Sequence, residues 1–187
     1  MQNKGTLIAL EPNKTRAKSL RFVLGKSGVI NAAIGIQDAL TFPSKEGFDK
    51  ILLDAPCSGE GLLRKKPQTL RIWSESYVNQ KAQLQVKLIL HAFSLLKEGG
   101  DLVYSVCTLA PEECEGVVTA LLKEYPHEAQ LLPVESFGMK TRPGLSQFRN
   151  RAFPSGIEKC ARLYPQDTNT QSFFVALIQK RKNTPSK

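Results

Sequence analysis

Two cysteines and a carboxylate stand at positions in this sequence where they could carry out covalent chemistry. Cys57 comes three residues after Asp54, directly behind the apolar stretch Ile51–Leu53. Cys107 comes directly behind a second apolar stretch, residues 101–106. A thiolate is a strong nucleophile, and a carboxyl group can donate or share a proton. The three groups therefore predict nucleophilic attack assisted by a nearby acid.

Two thiols and an acid suit a reaction at an otherwise unreactive carbon of a pyrimidine. C5 of cytosine becomes nucleophilic only after a thiolate adds at C6, and an acid near N3 favours that addition. After C5 has taken a methyl group, its proton must leave and the C6 thioether must be eliminated, a step that a second thiol could assist. The base must first leave any stack to enter the pocket.

The alternative for each cysteine taken alone is that of a small buried hydrophobic residue. Two cysteines that each follow an apolar strand favour chemistry over packing for Cys57 and Cys107. Cys114 lies in a predicted helix and Cys160 near the start of a predicted strand, so we expect both to be structural.

The elements that must position these groups are two parallel β-strands. The three apolar residues Ile51–Leu53 predict a short buried strand, and Pro56 with the glycines after it predicts a loop. Residues 101–106 predict the second strand. In open α/β sheets, ligands bind at the carboxyl ends of the strands. We therefore expect Cys57 and Cys107 to face one cavity.

Two acidic residues nearer the N terminus also follow predicted strands. Gly5–Leu10 predicts a strand that ends at Glu11, and residues 29–36 predict one that ends near Asp38. Acidic residues in this position commonly accept hydrogen bonds from the hydroxyl groups of a nucleotide-like ligand. The alternative for Glu11 is an acid at the positive N-terminal end of the next helix. Position alone does not separate these two interpretations.

The charge balance favours a polyanionic partner. The net charge is +9 and the isoelectric point is about 9.5, which indicates nucleic acid more than a basic protein kept soluble by its charge. Two segments combine basic residues with exposed or aromatic positions: 64–66, and the irregular stretch 133–158, where phenylalanines alternate with basic residues. The alternative for 133–158 is a loop that packs its phenylalanines into the core. The residues assigned to RNA contact are Arg64, Lys65, Lys66, Arg142, Arg149 and Arg151.

Several other classes of protein are excluded by composition. The four cysteines form no C-x-x-C pattern and the two histidines are isolated, so no metal centre is expected. No apolar run reaches the length of a membrane span, and no signal-peptide pattern opens the chain. We expect a cytoplasmic protein whose thiols are reduced.

Strands and helices alternate through the first two thirds of the chain, and a hairpin of residues 161–165 and 172–179 closes it. This order predicts an α/β fold, a Rossmann-like sheet that is mostly parallel with one antiparallel strand near the C terminus. At 187 residues we expect a single domain, 1–187, with a loop insertion at 133–158 and a basic tail at 180–187. The predicted helices are 13–26, 77–96, which Gly99 and Gly100 would stop, and one opened by Pro111 that runs to about 125.

Two motifs resemble the RsmB/Sun family of S-adenosylmethionine-dependent RNA (cytosine-5) methyltransferases. The first is Asp-Ala-Pro-Cys-Ser-Gly-Glu-Gly at 54–61, with Arg64 and Pro67 after it. The second is Tyr-Ser-Val-Cys-Thr-Leu-Ala-Pro-Glu-Glu at 104–113. Segments 162–165 and 170–176 resemble the family's closing motif, although Ser172 stands where glycine is usual. The resemblance covers nearly the whole chain and implies a class I methyltransferase fold.

The resemblance also implies roles for the catalytic candidates. Cys107 would attack C6 of the target cytosine, and Cys57 would help to release the product. Asp54 would contact the target base, and the Pro56 backbone would help to hold it. The substrate would be ribosomal or transfer RNA. In the second motif Val106 replaces the usual threonine, and we expect this departure to affect packing only.

The implied cofactor is S-adenosylmethionine. By the same resemblance Glu11 would bind its ribose, Asp38 would bind its adenine ring, and Asp54 would also contribute to the cofactor site.

One part of the family pattern is missing from this sequence. The glycine-rich cofactor loop that follows the family's first, central strand is not found, so the chain is expected to correspond to the C-terminal portion of a catalytic domain. Without that strand two central sheet edges lack a partner, and another chain or an N-terminal segment would have to supply it; otherwise a monomer is expected. The alternative function is a catalytically silent or partner-completed RNA-binding fragment, against which the intact Asp54, Cys57 and Cys107 argue.

Overall fold

The computed structural model describes residues 1–43 and 47–182. They form two compact units, Met1–Lys45 and Glu46–Lys187. The predicted single domain of residues 1–187 stays a prediction. Of the predicted basic tail 180–187, residues 183–187 lie outside the described part of the chain.

The first unit is a βαβ arrangement. Strand β1 (Leu7–Leu10) pairs in parallel with β2 (Ala32–Gly35), and helix α1 (Lys14–Lys26) connects them. Asn13 caps the helix, because its side chain accepts hydrogen bonds from the backbone N–H groups of the first turn. A 3₁₀ turn, Ala39–Thr41, follows β2. Both strands are shorter than predicted, but the predicted strand–helix–strand order is confirmed.

The second unit contains a six-stranded mixed sheet and a small hairpin. Its strands are β3 (Phe48–Asp54), β4 (Leu96–Val106), β5 (Ala129–Leu132), β6 (Arg142–Pro143), β7 (Gln147–Phe148), β8 (Arg151–Ala152), β9 (Ala161–Leu163) and β10 (Phe173–Lys180). Its helices are α2 (Glu75–Ser94), α3 (Glu115–Glu124) and the single turn α4 (Pro165–Thr168).

The direction of the strands agrees with the predicted fold class. β3 and β4 are parallel, and β10 runs antiparallel to β4 on one side and to β5 and β9 on the other. The main strands other than β10 therefore share one direction, and β10 is the expected antiparallel strand near the C terminus. The predicted β9–β10 hairpin is confirmed. β10 is not at the edge of the sheet, however, because strands pair with both of its sides.

Two predicted boundaries are wrong. The glycine pair after α2 does not cap the helix: α2 ends at Ser94 with Leu95 as its cap, and residues 97–100 belong to β4. Gly99 has a φ of +80°, and the register of β3 against β4 shifts between Phe48 and Lys50, which marks a β-bulge. The next helix begins at Glu115 rather than at Pro111, because residues 111–114 form a separate turn.

Helices α2 and α3 pack together and against the sheet through a continuous apolar core. Its fully buried members include Ile89, Phe93, Leu102, Tyr104, Val117, Val118, Leu121, Phe174 and Ile178. A buried ion pair, Arg162 with Glu115, ties β9 to the start of α3. This packing holds the carboxyl ends of β3 and β4 in fixed register.

The segment 133–158 packs two of its three phenylalanines into or against the core, and its expected contact with RNA stays a prediction. The β7–β8 hairpin and a 3₁₀ turn at Ile157–Lys159 give it regular structure. Phe153 is buried and Phe148 packs against the core, whereas Phe137 is 85% exposed. Two of the three phenylalanines therefore stabilise the fold, and one is left on the surface.

Within the described ranges, β1 pairs only with β2, and β3 pairs only with β4. Leu52 in β3 is 73% exposed. The absence of a central strand therefore stays a prediction. Among the described residues, no helix has the length and apolar character needed to cross a membrane.

Candidate active site

The two cysteines predicted to share a cavity lie in contact. Asp54, the last residue of β3, pairs with Ser105 of β4, so the two strands end at the same level. The loops beyond them bring Cys57 Sγ to 3.1 Å from Cys107 Sγ, within hydrogen-bond distance for sulfur. Both side chains are only partly buried. The parallel strand ends thus bring the two thiols together, and the shared cavity stays a prediction.

The contact displaces the two thiol pKa values in opposite directions. The hydrogen bond from Cys57 lowers the pKa of Cys107 to about 7, against the effects of burial and of the Asp54 charge, which raise it. The same hydrogen bond, helped by burial, raises the pKa of Cys57 far above its ordinary value. The pair near neutral pH is therefore a Cys107 thiolate that accepts a hydrogen bond from a Cys57 thiol.

Asp54 and Pro56 lie beside the thiols. Asp54 is exposed, and within residues 47–182 its carboxylate makes no hydrogen bond or ion pair. The negative charge of Asp54 raises the pKa of the Cys107 thiol. The carbonyl oxygen of Pro56 accepts a hydrogen bond of 2.9 Å from Gln85 Nε2 and retains a second lone pair. The contacts of both residues with the target base stay predictions.

A buried carboxylate, Glu113, holds the Cys57 loop in place. Its Oε1 accepts hydrogen bonds from Ser58 N and Gln85 Nε2, each at 2.9 Å, and its Oε2 accepts one from Ser58 Oγ. The Ser58 hydroxyl also lies 3.2 Å from Thr108 Oγ1, next to the other cysteine. Burial raises the pKa of Glu113, although these hydrogen bonds oppose the rise. Glu113 thus connects the two thiol-bearing loops.

A second carboxylate, Glu60, holds the Cys107 loop from the opposite side. Its Oε2 accepts hydrogen bonds from Thr108 Oγ1 at 3.1 Å and Leu109 N at 3.3 Å. Its Oε1 accepts a hydrogen bond of 2.7 Å from Trp73 Nε1. Each loop therefore supplies a group that fixes the other.

Gly61 closes the contact between the loops. Its N–H donates to Cys107 O at 2.9 Å. A Cβ atom at this position would lie 2.5 Å from Ser172 O and 2.8 Å from Cys107 O, both rigid backbone atoms. Only glycine fits, because the two loops approach here backbone to backbone.

Sequence reasoning missed the polar network of Gln85, Glu113 and Glu60. One signal was available: Gln85 stands in the apolar stripe of α2, three residues after Ala82 and four before Ile89. A polar residue at a core position of an amphipathic helix indicates a buried hydrogen-bond partner.

Glu11 and Asp38 lie at the carboxyl ends of the adjacent strands β1 and β2. Glu11 Oε1 accepts hydrogen bonds from Asn13 N and Arg16 Nη2, both at 2.8 Å. These bonds lower the pKa of Glu11, although desolvation opposes them. Asp38 Oδ1 accepts from Leu40 N at 3.0 Å. Within residues 1–43, Glu11 Oε2 and Asp38 Oδ2 have no partner.

The six basic residues assigned to RNA differ in how far they are already engaged. Lys65 and Lys66 are exposed in the loop after the first motif, and Arg64 donates to Asn169 Oδ1 at 3.0 Å. The other three make the following contacts: Arg142 with Asp167 in a bidentate pair, Arg149 with Glu75 at 3.0 Å, and Arg151 over the Phe153 ring at 5.4 Å. None of these contacts tests RNA binding, so all six assignments stay predictions.

Alternating strands and helices, a late antiparallel strand and reactive groups at parallel strand ends define the Rossmann-like methyltransferases as the class of this fold. Residues 1–179 match the family described as 16S rRNA methyltransferase RsmB/F, and the chain belongs to that family. The family consists of S-adenosylmethionine-dependent RNA methyltransferases.

Curated relatives act on both kinds of RNA that the sequence suggested. The chain is 39% identical over 181 residues to the tRNA (cytosine(49)-C(5))-methyltransferase of Pyrococcus abyssi, covering 96% of this chain and 57% of the relative. It is 37% identical over 188 aligned positions to ribosomal RNA small subunit methyltransferase F of Shigella dysenteriae, covering 37% of that protein. The chain thus spans between about a third and somewhat over half of these relatives.

Solved structures share the fold over nearly all of this chain. NSun6 from Pyrococcus horikoshii with SFG, an S-adenosylmethionine analogue, superposes with a TM-score of 0.80 at 32% identity, covering 97% of this chain and 43% of that one. A methyltransferase homolog protein from the same organism gives a TM-score of 0.82 at 32% identity, with 96% and 55% coverage. The resemblance to the RsmB/Sun family and its cofactor class are confirmed.

Proposed function

We propose that this chain carries the catalytic thiols of an RNA (cytosine-5) methyltransferase, which transfers a methyl group from S-adenosylmethionine to C5 of a cytosine in ribosomal or transfer RNA. The observation that carries the proposal is the thiol pair. Cys57 and Cys107 lie 3.1 Å apart, and their contact lowers the pKa of Cys107 while raising that of Cys57. We place the enzyme in the cytoplasm, where thiols remain reduced.

In the first step the Cys107 thiolate adds to C6 of the cytosine. The C6–S bond forms, the electrons of the C5–C6 double bond shift through C4 toward N3, and N3 takes a proton from the solvent, so that C5 becomes nucleophilic. Asp54 is the acidic group beside Cys107 that would contact the base at N3. The Pro56 carbonyl, oriented by Gln85, would accept a hydrogen bond from the base.

After C5 has taken the methyl group, the second step removes the C5 proton and regenerates the thiolate. When Cys107 is bound to carbon it no longer carries a charge, so the main cause of the raised pKa of Cys57 disappears. Cys57 then loses its proton to water and removes the C5 proton as a thiolate. N3 gives up its proton, the C6–S bond breaks, and Cys107 leaves as a thiolate beside a protonated Cys57, as at the start.

The cofactor contributes one thing, an electrophilic methyl group. Glu11 suits the ribose of the cofactor and Asp38 suits its adenine. Each residue lies at the end of a parallel strand, and each keeps one carboxylate oxygen free of partners within residues 1–43. The further assignment of Asp54, which is exposed, to cofactor binding stays a prediction.

The second candidate is a catalytically silent or partner-completed RNA-binding fragment. The observation that favours it is the edge of β3, where Leu52 is 73% exposed and, in residues 47–182, only β4 pairs with the strand. A strand supplied by another chain or by a segment preceding residue 1 would cover this edge.

Two measurements separate the candidates. Calorimetry with S-adenosylmethionine, on this chain and on a longer one that begins upstream, tests whether the described strands suffice for cofactor binding. Transfer of labelled methyl to a cytosine-containing RNA then tests activity on whichever form binds. We expect Cys107→Ala to abolish methyl transfer. We expect Cys57→Ala to accumulate a covalent protein–RNA adduct, because the C5 proton of the methylated cytosine is not removed. Full transfer by Cys107→Ala would refute the proposed chemistry.

A further inference from the structure

Trp73 is an exposed aromatic residue whose edge is fixed. It is the only tryptophan of the chain, and 44% of it is exposed. Its one polar atom, Nε1, donates a 2.7 Å hydrogen bond to Glu60 Oε1. Leu70 and Ile72 beside it are 63% and 61% exposed. Exposed apolar groups clustered in this way mark a surface that another molecule covers.

The bond to Glu60 ties this surface to the reactive cysteine. The other oxygen of the same carboxylate accepts hydrogen bonds from Thr108 Oγ1 and Leu109 N, the residues that follow Cys107. The Glu60 carboxylate therefore fixes the positions of both the Trp73 indole and the loop that carries Cys107. A ligand atom held at Cys107 would have its neighbours close to the indole.

The charge around Trp73 indicates which molecule covers it. Arg64, Lys65, Lys66 and Arg71 precede it within ten positions and are all exposed. An aromatic face bordered by cations is the arrangement with which proteins bind single-stranded nucleic acid, since bases stack on the ring and phosphates meet the cations. An apolar protein segment would carry no negative charges to pair with these four cations.

We propose that Trp73 is a stacking platform for the base of a nucleotide that flanks the target cytosine in single-stranded RNA. This inference rests on the proposed function, because it assumes that RNA is the molecule brought to Cys107. Stacking would keep the chain of nucleotides in place on one side while the target base leaves the stack.

Because Trp73 is the sole tryptophan, its fluorescence reports on the platform directly. We would titrate the 187-residue chain with a short cytosine-containing single-stranded RNA and follow the intrinsic emission. Binding by stacking quenches it. A matched oligonucleotide that has abasic sites around the cytosine retains all phosphates, and we expect it to bind more weakly and to quench little.

Affinity variants test the same contact without fluorescence. By filter binding, we expect Trp73→Ala to weaken RNA binding about tenfold and Trp73→Phe to restore most of it. The slope of affinity against salt should stay unchanged in Trp73→Ala, because no phosphate contact is lost, whereas Lys65→Ala should reduce that slope. Phe22→Ala, which removes another exposed aromatic side chain in α1, is the matched control and should bind as the unaltered chain does.

The outcomes separate this inference from the proposed function. If RNA binds with no quenching, or if Trp73→Ala binds as tightly as the unaltered chain, the platform is refuted while the methyl-transfer proposal stands. If equal quenching occurs with the abasic oligonucleotide, the ring contacts the backbone and base stacking is refuted. If no RNA binds to any form, including one that begins upstream, both proposals fail.

Discussion

The ends of β3 and β4 and the ends of β1 and β2 both carry polar residues at the edge of a parallel pair, but they use them differently. At the first pair, Cys57 and Cys107 touch each other, and Glu113 and Glu60 bond across the two loops. At the second pair, Glu11 bonds only to groups within five residues of it in the chain.

Under the proposed function, the difference reflects two kinds of task. Covalent chemistry requires that a nucleophile and its proton partner keep their distance to within a fraction of an ångström, and a buried network can impose that. A cofactor that enters and leaves needs acceptors that remain open to it. We therefore expect polar substitutions at β3 and β4 to change stability and thiol chemistry, and those at β1 and β2 to change only ligand affinity.

The largest effect should come from Glu113→Leu. It removes the acceptor of Ser58 N, Ser58 Oγ and one Gln85 hydrogen bond, and leaves buried donors unsatisfied, so the free energy of unfolding should fall by about 3–4 kcal/mol. Urea unfolding measures the change. Glu113→Gln keeps the shape and should lose about 1 kcal/mol, and Glu112→Leu is the matched control outside the network. Equal losses for the two Leu variants would mean that the network does not stabilise the loops.

Gly61→Ala tests the close approach of the two loops. The new Cβ would meet two backbone oxygens, at 2.5 and 2.8 Å, and neither can move without shifting a loop. We expect a loss of about 3 kcal/mol in the free energy of unfolding. The control is Gly25→Ala in α1, where nothing lies within 4 Å of the added atom; its greater helix propensity should raise stability by about 0.5–1 kcal/mol. A stable Gly61→Ala variant would show that the loops are not held together.

Cys57→Ala tests the proton arrangement of the thiol pair. Its hydrogen bond is the main cause of the lowered pKa of Cys107, whereas burial and the Asp54 charge raise that pKa, so the midpoint of Cys107 alkylation should rise from about 7 to above roughly 8.5, the ordinary value of a free cysteine. Iodoacetamide labelling against pH, with mass spectrometry to assign each cysteine, measures this. Cys160→Ala, which removes a buried cysteine away from the pair, should leave the midpoint near 7.

The same pair makes stability depend on pH, with a sign that reverses. Between about pH 7 and the ordinary thiol pKa, the folded state has already released the Cys107 proton and the unfolded state has not, so the contribution to stability rises with pH. Above the ordinary value the unfolded state loses both protons while folded Cys57 keeps its own, so the contribution falls. In urea unfolding measured against pH, Cys57→Ala should remove the rising limb and reduce the falling one, to which the buried Cys114 and Cys160, whose pKa values burial also raises, still contribute.

The smallest effect on stability should come from Glu11→Gln. The Arg16 side chain, its ion-pair partner, is largely exposed, and the amide keeps the Oε1 acceptor, so the free energy of unfolding should change by less than about 0.5 kcal/mol. Affinity for S-adenosylmethionine, measured by calorimetry on a form that binds it, should fall about tenfold, because the amide is a poorer acceptor for ribose hydroxyls. Glu98→Gln, at another exposed position, is the control. Unchanged affinity would separate Glu11 from the cofactor site.

Periodicity and residue type predicted the strand–helix order, the late antiparallel strand and the meeting of Cys57 with Cys107, because these follow from local pattern and from the rules of parallel sheets. Periodicity and residue type gave wrong predictions where a local pattern is compatible with two different structures. Gly99 and Gly100 can cap a helix or open a bulge, and only pairing with β3 selected the bulge. Glu113 lies in the first turn of the helix that Pro111 was predicted to open, and only the fold placed it in a buried turn against Ser58.

By itself the amino-acid sequence determined the class of fold and the family, and it predicted which two thiols would meet, since all three follow from short motifs and alternating patterns. The tertiary structure alone decided which thiol is ionised and which carboxylates hold the loops. The physical reason is that a pKa and a buried hydrogen bond depend on distances of about 3 Å between residues that lie tens of positions apart. Such distances exist only after the chain has packed.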